Sequence, residues 1–260
     1  MLYAGIDVGS ITTKAVITDG DRIVSWAIVN TGINPKEAGE KVLTKALQNS
    51  NRVRNGELKR KELKRIVGTG YGRIALPFVD KTITEISCHA RGVYYLNPQV
   101  RTIIDIGGQD SKVIKLDGEG NIDNFFMNDK CAAGTGKFLE VISKTLEVEL
   151  DDMGRLFRQS ENPCMLSSTC VVFAESEVVS LLARGQKKED IIAGLCNSVA
   201  KRVGNMVLRV QPVKEFALVG GVAKNTGVKN ALETFLECRF VQLQVDPQIT
   251  GAVGAAVLAE

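Results

Sequence analysis

The chain has 260 residues, of which 44% are hydrophobic, and a formal net charge of +3. This length suits one large domain or two modest ones with an ordinary buried core. The small charge argues against a nucleic-acid partner. The sequence contains no run of about 18 apolar residues, so we expect no membrane span. The first residues lack the order of a signal peptide, so we predict a cytoplasmic protein.

The first predicted element is a β-hairpin at residues 6–20, which read IDVGSITTKAVITDG. An apolar strand ends near Asp7, a glycine turn and a β-branched strand follow, and Asp19-Gly20 favours a type I′ turn. Small residues in the first turn let backbone N–H groups approach an anion, and hydroxyl and lysine donors surround it. We predict a phosphate-binding loop that contains Gly9, Ser10, Thr12, Thr13 and Lys14.

The next distinctive segment, residues 52–65, reads RVRNGELKRKELKR and is locally basic. Interspersed Glu57 and Glu62 make a solvated helical face the favoured interpretation. A docking patch for an acidic partner is the second interpretation, and a nucleic-acid-binding patch is the third.

Residues 104–118, IDIGGQDSKVIKLDG, repeat the first hairpin at a constant offset of 98 with six identical positions. A fixed offset indicates a duplicated structural unit. The repeat predicts a second phosphate loop, and the strand-end carboxylates Asp7 and Asp105 are suited to hold Mg²⁺ through water. A pair of tight hairpins with surface hydroxyls is the alternative, which the second copy disfavours. The second loop contains Gly107, Gly108, Ser111 and Lys112.

The stretch CAAGTGKFLE, residues 131–140, places a cysteine before a glycine-rich turn and a helix. A P-loop needs Gly at its first anchor and Ser or Thr after Gly-Lys, but Cys131 and Phe138 occupy these two positions. A plain helix N-terminus and a metal site remain as interpretations. The N-terminus of the helix is expected to stabilise a thiolate at Cys131.

Apolar spacing predicts the later elements. Residues 187–210 form a long helix with a buried face that includes Cys196. A strand at residues 216–219 leads into a glycine turn and a helix near Asn225 or Thr226, an arrangement that suits an anion or a flat ring. Residues 250–260 form a closely packed small-residue helix. Strands and helices alternate, so we predict an α/β fold. The expected inward-facing residues are Phe138, Ile142, Leu146, Ile192, Leu195, Val199, Val203, Met206 and Val210.

The two phosphate loops, the late GGVAKN turn and the closing GAVGAA helix resemble the ATPase superfamily of actin, hexokinase and the heat-shock chaperones over the whole chain. This resemblance implies an actin-like fold of two ribonuclease-H-like lobes, with ATP or ADP and Mg²⁺ in a cleft between them. The implied division is residues 1–97, residues 98–245 and a helix at residues 246–260 that returns to the first lobe. The implied adenosine-side residues are Gly220, Gly221, Lys224, Asn225 and Gln248.

Four further stretches are similar to the activator ATPases of 2-hydroxyacyl-CoA dehydratases, a family that includes ATPase subunits of benzoyl-CoA reductases. They are TGYGR (69–73), TEISCHARG (84–92), NDKCAAGTGKFLE (128–140) and SSTCVVFAESEV (167–178). The resemblance implies ATP-driven transfer of one low-potential electron to a partner and a [4Fe–4S] cluster shared by two subunits. Its ligands correspond to Cys131 and Cys170. Relatives often read GSTTTK in the first loop, so Ile11 replaces one hydroxyl here.

A cubane cluster needs four thiolates, and a twofold homodimer supplies the Cys131 and Cys170 pair twice. A monomeric cluster is the alternative; it would recruit Cys164 and one of Cys88, Cys196 or Cys238. The resemblance implies ferredoxin or flavodoxin as the electron donor and an iron–sulfur dehydratase or reductase as the acceptor.

For hydrolysis, Gln109 and Asp110 are expected to orient or activate water, and Lys14 and Lys112 to neutralise phosphate charge. His89 is assigned no chemistry. Two other functions stay open on this scaffold: a sugar or acyl kinase, and a nucleotide-switched structural protein. A kinase would be colourless when purified without oxygen, and a structural protein would assemble with ATP even after Cys131→Ala.

Overall fold

The computed structural model describes residues 1–50, 58–167 and 170–260. Part of the basic segment and two residues of the 167–178 motif therefore lie outside the described residues. The chain forms two compact units: residues 1–101, 116–123 and 242–260, and residues 102–115 and 124–241. The sequence-based division at residues 97 and 245 stays a prediction about functional lobes.

Strands and helices alternate along the chain, which confirms the predicted α/β class. In order they are β1 (Leu2–Val8), β2 (Thr12–Thr18), β3 (Ile23–Asn30), α1 (Pro35–Ser50), β4 (Leu63–Thr69), β5 (Lys81–Thr82), α2 (Glu85–Leu96), β6 (Thr102–Ile106), β7 (Ser111–Leu116), β8 (Ile122–Asn128), α3 (Gly136–Thr145), α4 (Met153–Gln159), α5 (Val171–Ala183), α6 (Lys188–Arg209), β9 (Phe216–Val219), α7 (Thr226–Phe235) and α8 (Thr250–Val257).

The first unit contains a five-stranded sheet in the order β3-β2-β1-β4-β5. Strand β1 pairs antiparallel with β2 and parallel with β4. Every residue of β1 is buried, as expected for a central strand covered on both faces. The carboxyl ends of β1 and β4 therefore lie side by side, and the first predicted hairpin is confirmed.

Helix α8 packs closely on β1 and α2 in the first unit. A Cβ at Gly254 would overlap the backbone carbonyl of Cys88, and a Cβ at Gly92 would overlap that of Thr250. The backbones of α2 and α8 can approach this closely only because both positions are glycine. The predicted small-residue helix is confirmed.

The second unit repeats the hairpin in a four-stranded sheet ordered β8-β7-β6-β9. Strand β6 pairs antiparallel with β7 and parallel with β9, as β1 does with β2 and β4. The long helix predicted at residues 187–210 is confirmed as α6, and Cys196 is buried in the core that α6 shares with its neighbours. All nine predicted inward-facing residues are buried.

The predicted type I′ turns are wrong in both hairpins. Type I′ needs positive φ at two successive residues, but after β2 only Gly20 has it, and Asp19 N–H donates to Arg22 O at 3.2 Å. The second hairpin has a longer loop, in which Asp117 N–H donates to Asn121 O at 2.9 Å. The Asp117 carboxylate also accepts the Asn121 N–H at 2.8 Å. Such side-chain bonds compete with the two-residue turn.

Candidate functional site

The first loop lies between β1 and β2, where the strand register pairs Asp7 with Lys14. The buried Asp7 carboxylate is 3.3 Å from the Lys14 ammonium. The turn is closed by Gly9 N–H, which donates to Thr12 O at 3.1 Å. A Cβ at Gly9 would be 3.2 Å from Lys14 Nζ, so the ammonium lies against the turn backbone. Ser10 and Thr12 are half-buried beside it. Four of the five predicted residues therefore lie together at this loop: Gly9, Ser10, Thr12 and Lys14.

Thr13 faces the interior, in contrast to its neighbours on β2. Its hydroxyl is 2.9 Å from that of Thr31, which donates to Gly9 O at 2.8 Å. Side chains alternate between the two faces of a strand, so Thr13 is directed away from Thr12 and Lys14. The predicted phosphate contact of Thr13 is corrected to support of the turn from inside. Thr31 was missed because no local pattern connects it to Gly9.

The second loop has a different arrangement of charges. The Lys112 ammonium is 3.0 Å from Asp105 Oδ2 and 2.9 Å from Asp110 Oδ2, and its side chain is only 4% exposed. Gln109 is exposed and Asp110 is half-buried. The predicted direct contact between Lys112 and a phosphate does not fit this geometry, because carboxylates enclose the ammonium.

Two matching glycine turns lie behind the aspartates. Gly70 follows β4 with φ of 87°, and Gly220 follows β9 with φ of 85°. A Cβ at Gly70 would overlap the carboxylate of Asp7, and a Cβ at Gly220 would overlap that of Asp105. The structural repeat therefore includes the TGYGR turn, which the sequence indicated only as a family motif. The recurrence of a glycine turn directly after a buried strand was the available signal.

The predicted adenosine-side residues of the second unit follow this turn. Gly221 opens a 3-10 turn that ends at the exposed Lys224. Asn225 is the N-cap of α7, as predicted for this helix start, and its Oδ1 accepts Val228 N–H at 3.0 Å. The cap occupies the amide oxygen of Asn225. Gln248 belongs to the first unit, in the segment before α8, where its N–H donates to Asp246 Oδ1 at 2.9 Å.

Cys131 lies half-buried in the loop before α3. Arg202 Nη1 of α6 donates to its sulfur at 3.8 Å. At the start of α3, Gly136 N–H and Lys137 N–H donate to Gly107 O and Gly108 O, and Phe138 N–H donates to Thr135 O. These N–H groups point at carbonyl oxygens, whereas Arg202 donates to the Cys131 sulfur. The effect of the helix N-terminus on a thiolate at Cys131 stays a prediction.

Cys170 is exposed and is itself the N-cap of α5. The pKa of each of the other four cysteines is raised. Burial raises the pKa of Cys88 and of Cys196 to about 12, and burial with the nearby Asp190 charge raises the pKa of Cys164. Burial likewise raises the pKa of Cys238. The alternative in which Cys164 is a cluster ligand stays a prediction.

The second predicted phosphate loop is hydrogen-bonded at three points to residues 131–137, here called the Cys131 segment. Gly136 N–H donates to Gly107 O at 2.9 Å, and Lys137 N–H donates to Gly108 O at 2.8 Å. The buried Ser111 hydroxyl donates to Gly134 O at 2.8 Å. A displacement of the loop would therefore act directly on the start of α3 and the residues after Cys131.

Across residues 1–50, 58–167 and 170–260, no cluster of three or more His, Cys, Asp or Glu side chains could hold a metal ion. Over the same residues, no helix is both long and apolar enough to cross a bilayer.

Comparison with known proteins gives consistent results. The sequence profile of the BadF/BadG/BcrA/BcrD ATPase family matches residues 4–259. The chain is 47% identical to the activator of lactoyl-CoA dehydratase from Anaerotignum propionicum, covering 100% of this chain and 97% of that protein. It is 45% identical to the 2-hydroxyisocaproyl-CoA dehydratase activator from Clostridioides difficile, covering 100% and 95%.

Solved structures confirm the actin-like ATPase fold. The Clostridium difficile activator with bound ADPNP superposes with a TM-score of 0.91 and 45% identity, covering 100% of this chain and 94% of that one. A ROK family glucokinase from Streptomyces griseus has a TM-score of 0.57 at 14% identity, covering 100% and 99%. The glucokinase likeness shows the fold alone.

Proposed function

Because the chain belongs to the BadF/BadG/BcrA/BcrD ATPase family, we propose that it hydrolyses ATP to drive one low-potential electron into a partner enzyme. The acceptor class is an iron–sulfur dehydratase of 2-hydroxyacyl-CoA esters or a related reductase. Relatives that are named activators of such dehydratases support this class. The observation that carries the proposal is the hydrogen-bonded connection between the second phosphate loop and the Cys131 segment.

The nucleotide chemistry belongs to the two loops. Lys14, beside the first turn, would neutralise phosphate charge. The carboxylates of Asp7 and Asp105 would hold Mg²⁺ through water, since hard cations prefer carboxylate oxygens. Gln109 and Asp110 orient the attacking water. The water oxygen bonds to the γ-phosphorus, the bond to the bridging oxygen breaks, and ADP leaves with that oxygen. Asp110 accepts the proton that the water loses.

In the proposed cluster, each chain supplies two thiolates, from Cys131 and Cys170. Cys131 is half-buried and Cys170 is exposed. Arg202 donates to the Cys131 sulfur, and Cys170 is the N-cap of α5, so each sulfur has a partner that would stabilise the negative charge of a bound thiolate. A bound [4Fe–4S] cluster would supply a one-electron carrier. Two such chains would supply the four thiolates that a cubane cluster needs.

The surface next to Cys170 supports a homodimer. On α5, Val172 is 66% exposed, Phe173 68% and Val179 53%. Contiguous exposed apolar side chains favour association, and a twofold interface would bring two copies of this helix together. The shared site and the apolar helix face would then belong to one interface.

The remaining parts of the proposal concern partners and location. Ferredoxin or flavodoxin, as carriers of single electrons, would reduce the dimer, which then docks on its acceptor. Occupancy of the second phosphate loop by ATP or ADP would alter the start of α3 through its three hydrogen bonds. We place the protein in the cytoplasm, where its thiols stay reduced.

The test is anaerobic purification followed by measurement of iron, sulfide and native mass, with Cys131→Ala, Cys170→Ala and the matched control Cys164→Ala. We expect about four irons per two chains, lost in the first two variants and kept in the control. A colourless, iron-free protein that hydrolyses ATP even after cluster reconstitution would refute the electron-transfer function and favour a kinase.

A further inference from the structure

The two phosphate loops differ in the charged group that each places beside its turn. At Gly9 the neighbouring group is the Lys14 ammonium, whereas a Cβ at the equivalent Gly107 would overlap the carboxylate of Asp110. The equivalent lysine, Lys112, lies behind this carboxylate and is almost fully buried. One sequence repeat therefore yields a cationic first loop and a second loop that presents a carboxylate.

Lys112 contacts two carboxylates at once. Its ammonium is 3.0 Å from Asp105 and 2.9 Å from Asp110, whose side chain is 23% exposed. A lysine is almost never buried unless it is paired, and charge-assisted hydrogen bonds of this length fix both partners. The ammonium thus connects the interior carboxylate of Asp105 to the half-buried carboxylate of Asp110.

We propose that Lys112 is a positioning residue for ATP hydrolysis, which holds the Asp110 carboxylate at the Gly107 turn and does not bind the phosphate. The role rests on the proposed ATPase site but not on the electron transfer. Asp110 orients the water that attacks the γ-phosphorus and accepts its proton. The contact with Asp105 fixes the Lys112 ammonium, and the effect of Lys112 on the chemical step is exerted through Asp110. Of the two equivalent lysines, only Lys14 contacts the phosphate directly.

A direct phosphate ligand and a positioning residue differ in their kinetic effect. Loss of a group that binds ATP in the ground state raises KM, whereas loss of a group that acts only in the chemical step lowers kcat. We therefore expect Lys112→Met to lower kcat by about 10²-fold, the lower range for acid–base groups, with the Kd of ATP within twofold of the unaltered protein. Lys14→Met should instead weaken ATP binding.

The decisive measurement is the double variant Lys112→Met/Asp110→Asn. Residues that act as a unit are non-additive, so its kcat should equal that of Asp110→Asn alone. Lys115→Met is the matched control, because Lys115 lies on β7 opposite Thr102, at the far end from the loop, and should leave kcat and Kd unchanged.

Several results would overturn the proposal. A tenfold rise in the Kd of ATP with kcat kept in Lys112→Met would make Lys112 a phosphate ligand. Additive losses in the double variant would show action independent of Asp110. If the single variant Lys112→Met does not fold, the proposal is tested by comparing the kcat of the double variant with that of Asp110→Asn. An iron-free chain whose ATPase follows the expected pattern would refute the electron-transfer function but support this role for Lys112.

Discussion

Replacement of Ser111 by Ala would test the connection between the second phosphate loop and Cys131. The change removes one hydroxyl, which is buried and donates to Gly134 O at 2.8 Å, and leaves the two backbone hydrogen bonds from α3 in place. The segment should therefore remain attached to the loop but by a weaker connection.

The expected loss of stability follows from the buried acceptor. A buried carbonyl that loses its donor costs about 1–3 kcal/mol. For chains of this size each kcal/mol lowers Tm by about 2–4 °C, so the melting temperature of the apo protein should fall by several degrees. Ser143→Ala is the matched control, because this serine is also buried and its hydroxyl donates within α3, to Glu140 O.

The functional assay is the alkylation rate of Cys131 in apo protein, measured by mass spectrometry with and without ADP. A coupling free energy of about 1 kcal/mol corresponds to about a fivefold change in rate, and Ser111→Ala should reduce this nucleotide effect while Ser143→Ala keeps it. An unchanged nucleotide effect in Ser111→Ala, or an equal loss in both variants, would refute the reasoning.

Three further predictions concern separate sites. Gly220→Ala should abolish ATP hydrolysis and destabilise the chain in urea by more than Gly185→Ala, because both glycines have positive φ but only Gly220 faces a carboxylate without room for a Cβ. Asp190, whose pKa is lowered by hydrogen bonds from a serine hydroxyl and backbone N–H groups, should stabilise the fold above its ordinary pKa of 3.8; the urea midpoints of Asp190→Asn and the unaltered protein should converge as pH falls below that value. Arg202→Met should make the reduction potential of the reconstituted cluster more negative in a dye titration, because a donor to the Cys131 sulfur is lost; an unchanged potential would contradict this.

Sequence reasoning succeeded where burial follows local spacing. The face of α6 that contains Leu195 and Val199 was predictable because helical periodicity alone determines which residues face the core. The repeat at an offset of 98 likewise indicated two equivalent hairpins, and both formed. Asn225 at the start of α7 was predictable from its N-cap chemistry.

The interactions that the sequence did not predict join residues that are distant in the chain. Nothing in the local pattern connects Thr13 with Thr31 or Cys131 with Arg202, because tertiary packing brings these pairs together. The enclosure of Lys112 was also unpredictable, since the matching Lys14 has a single carboxylate partner at 3.3 Å. The repeat indicated equivalent backbones, but one added carboxylate in the second loop changed the environment of its lysine.

The packing of α8 has a consequence for biosynthesis. Residues 249–257 complete the first unit, where Ile249 and Ala252 bury Val16 of β2 and a Cβ at Gly251 would be 3.1 Å from Asp7 Oδ2. A ribosome makes β1 and β2 more than 230 residues before it makes α8. The apolar face of the first sheet that α8 covers therefore stays exposed on the nascent chain while the second unit is translated. A chain stalled before α8 would expose that face to chaperones and proteases.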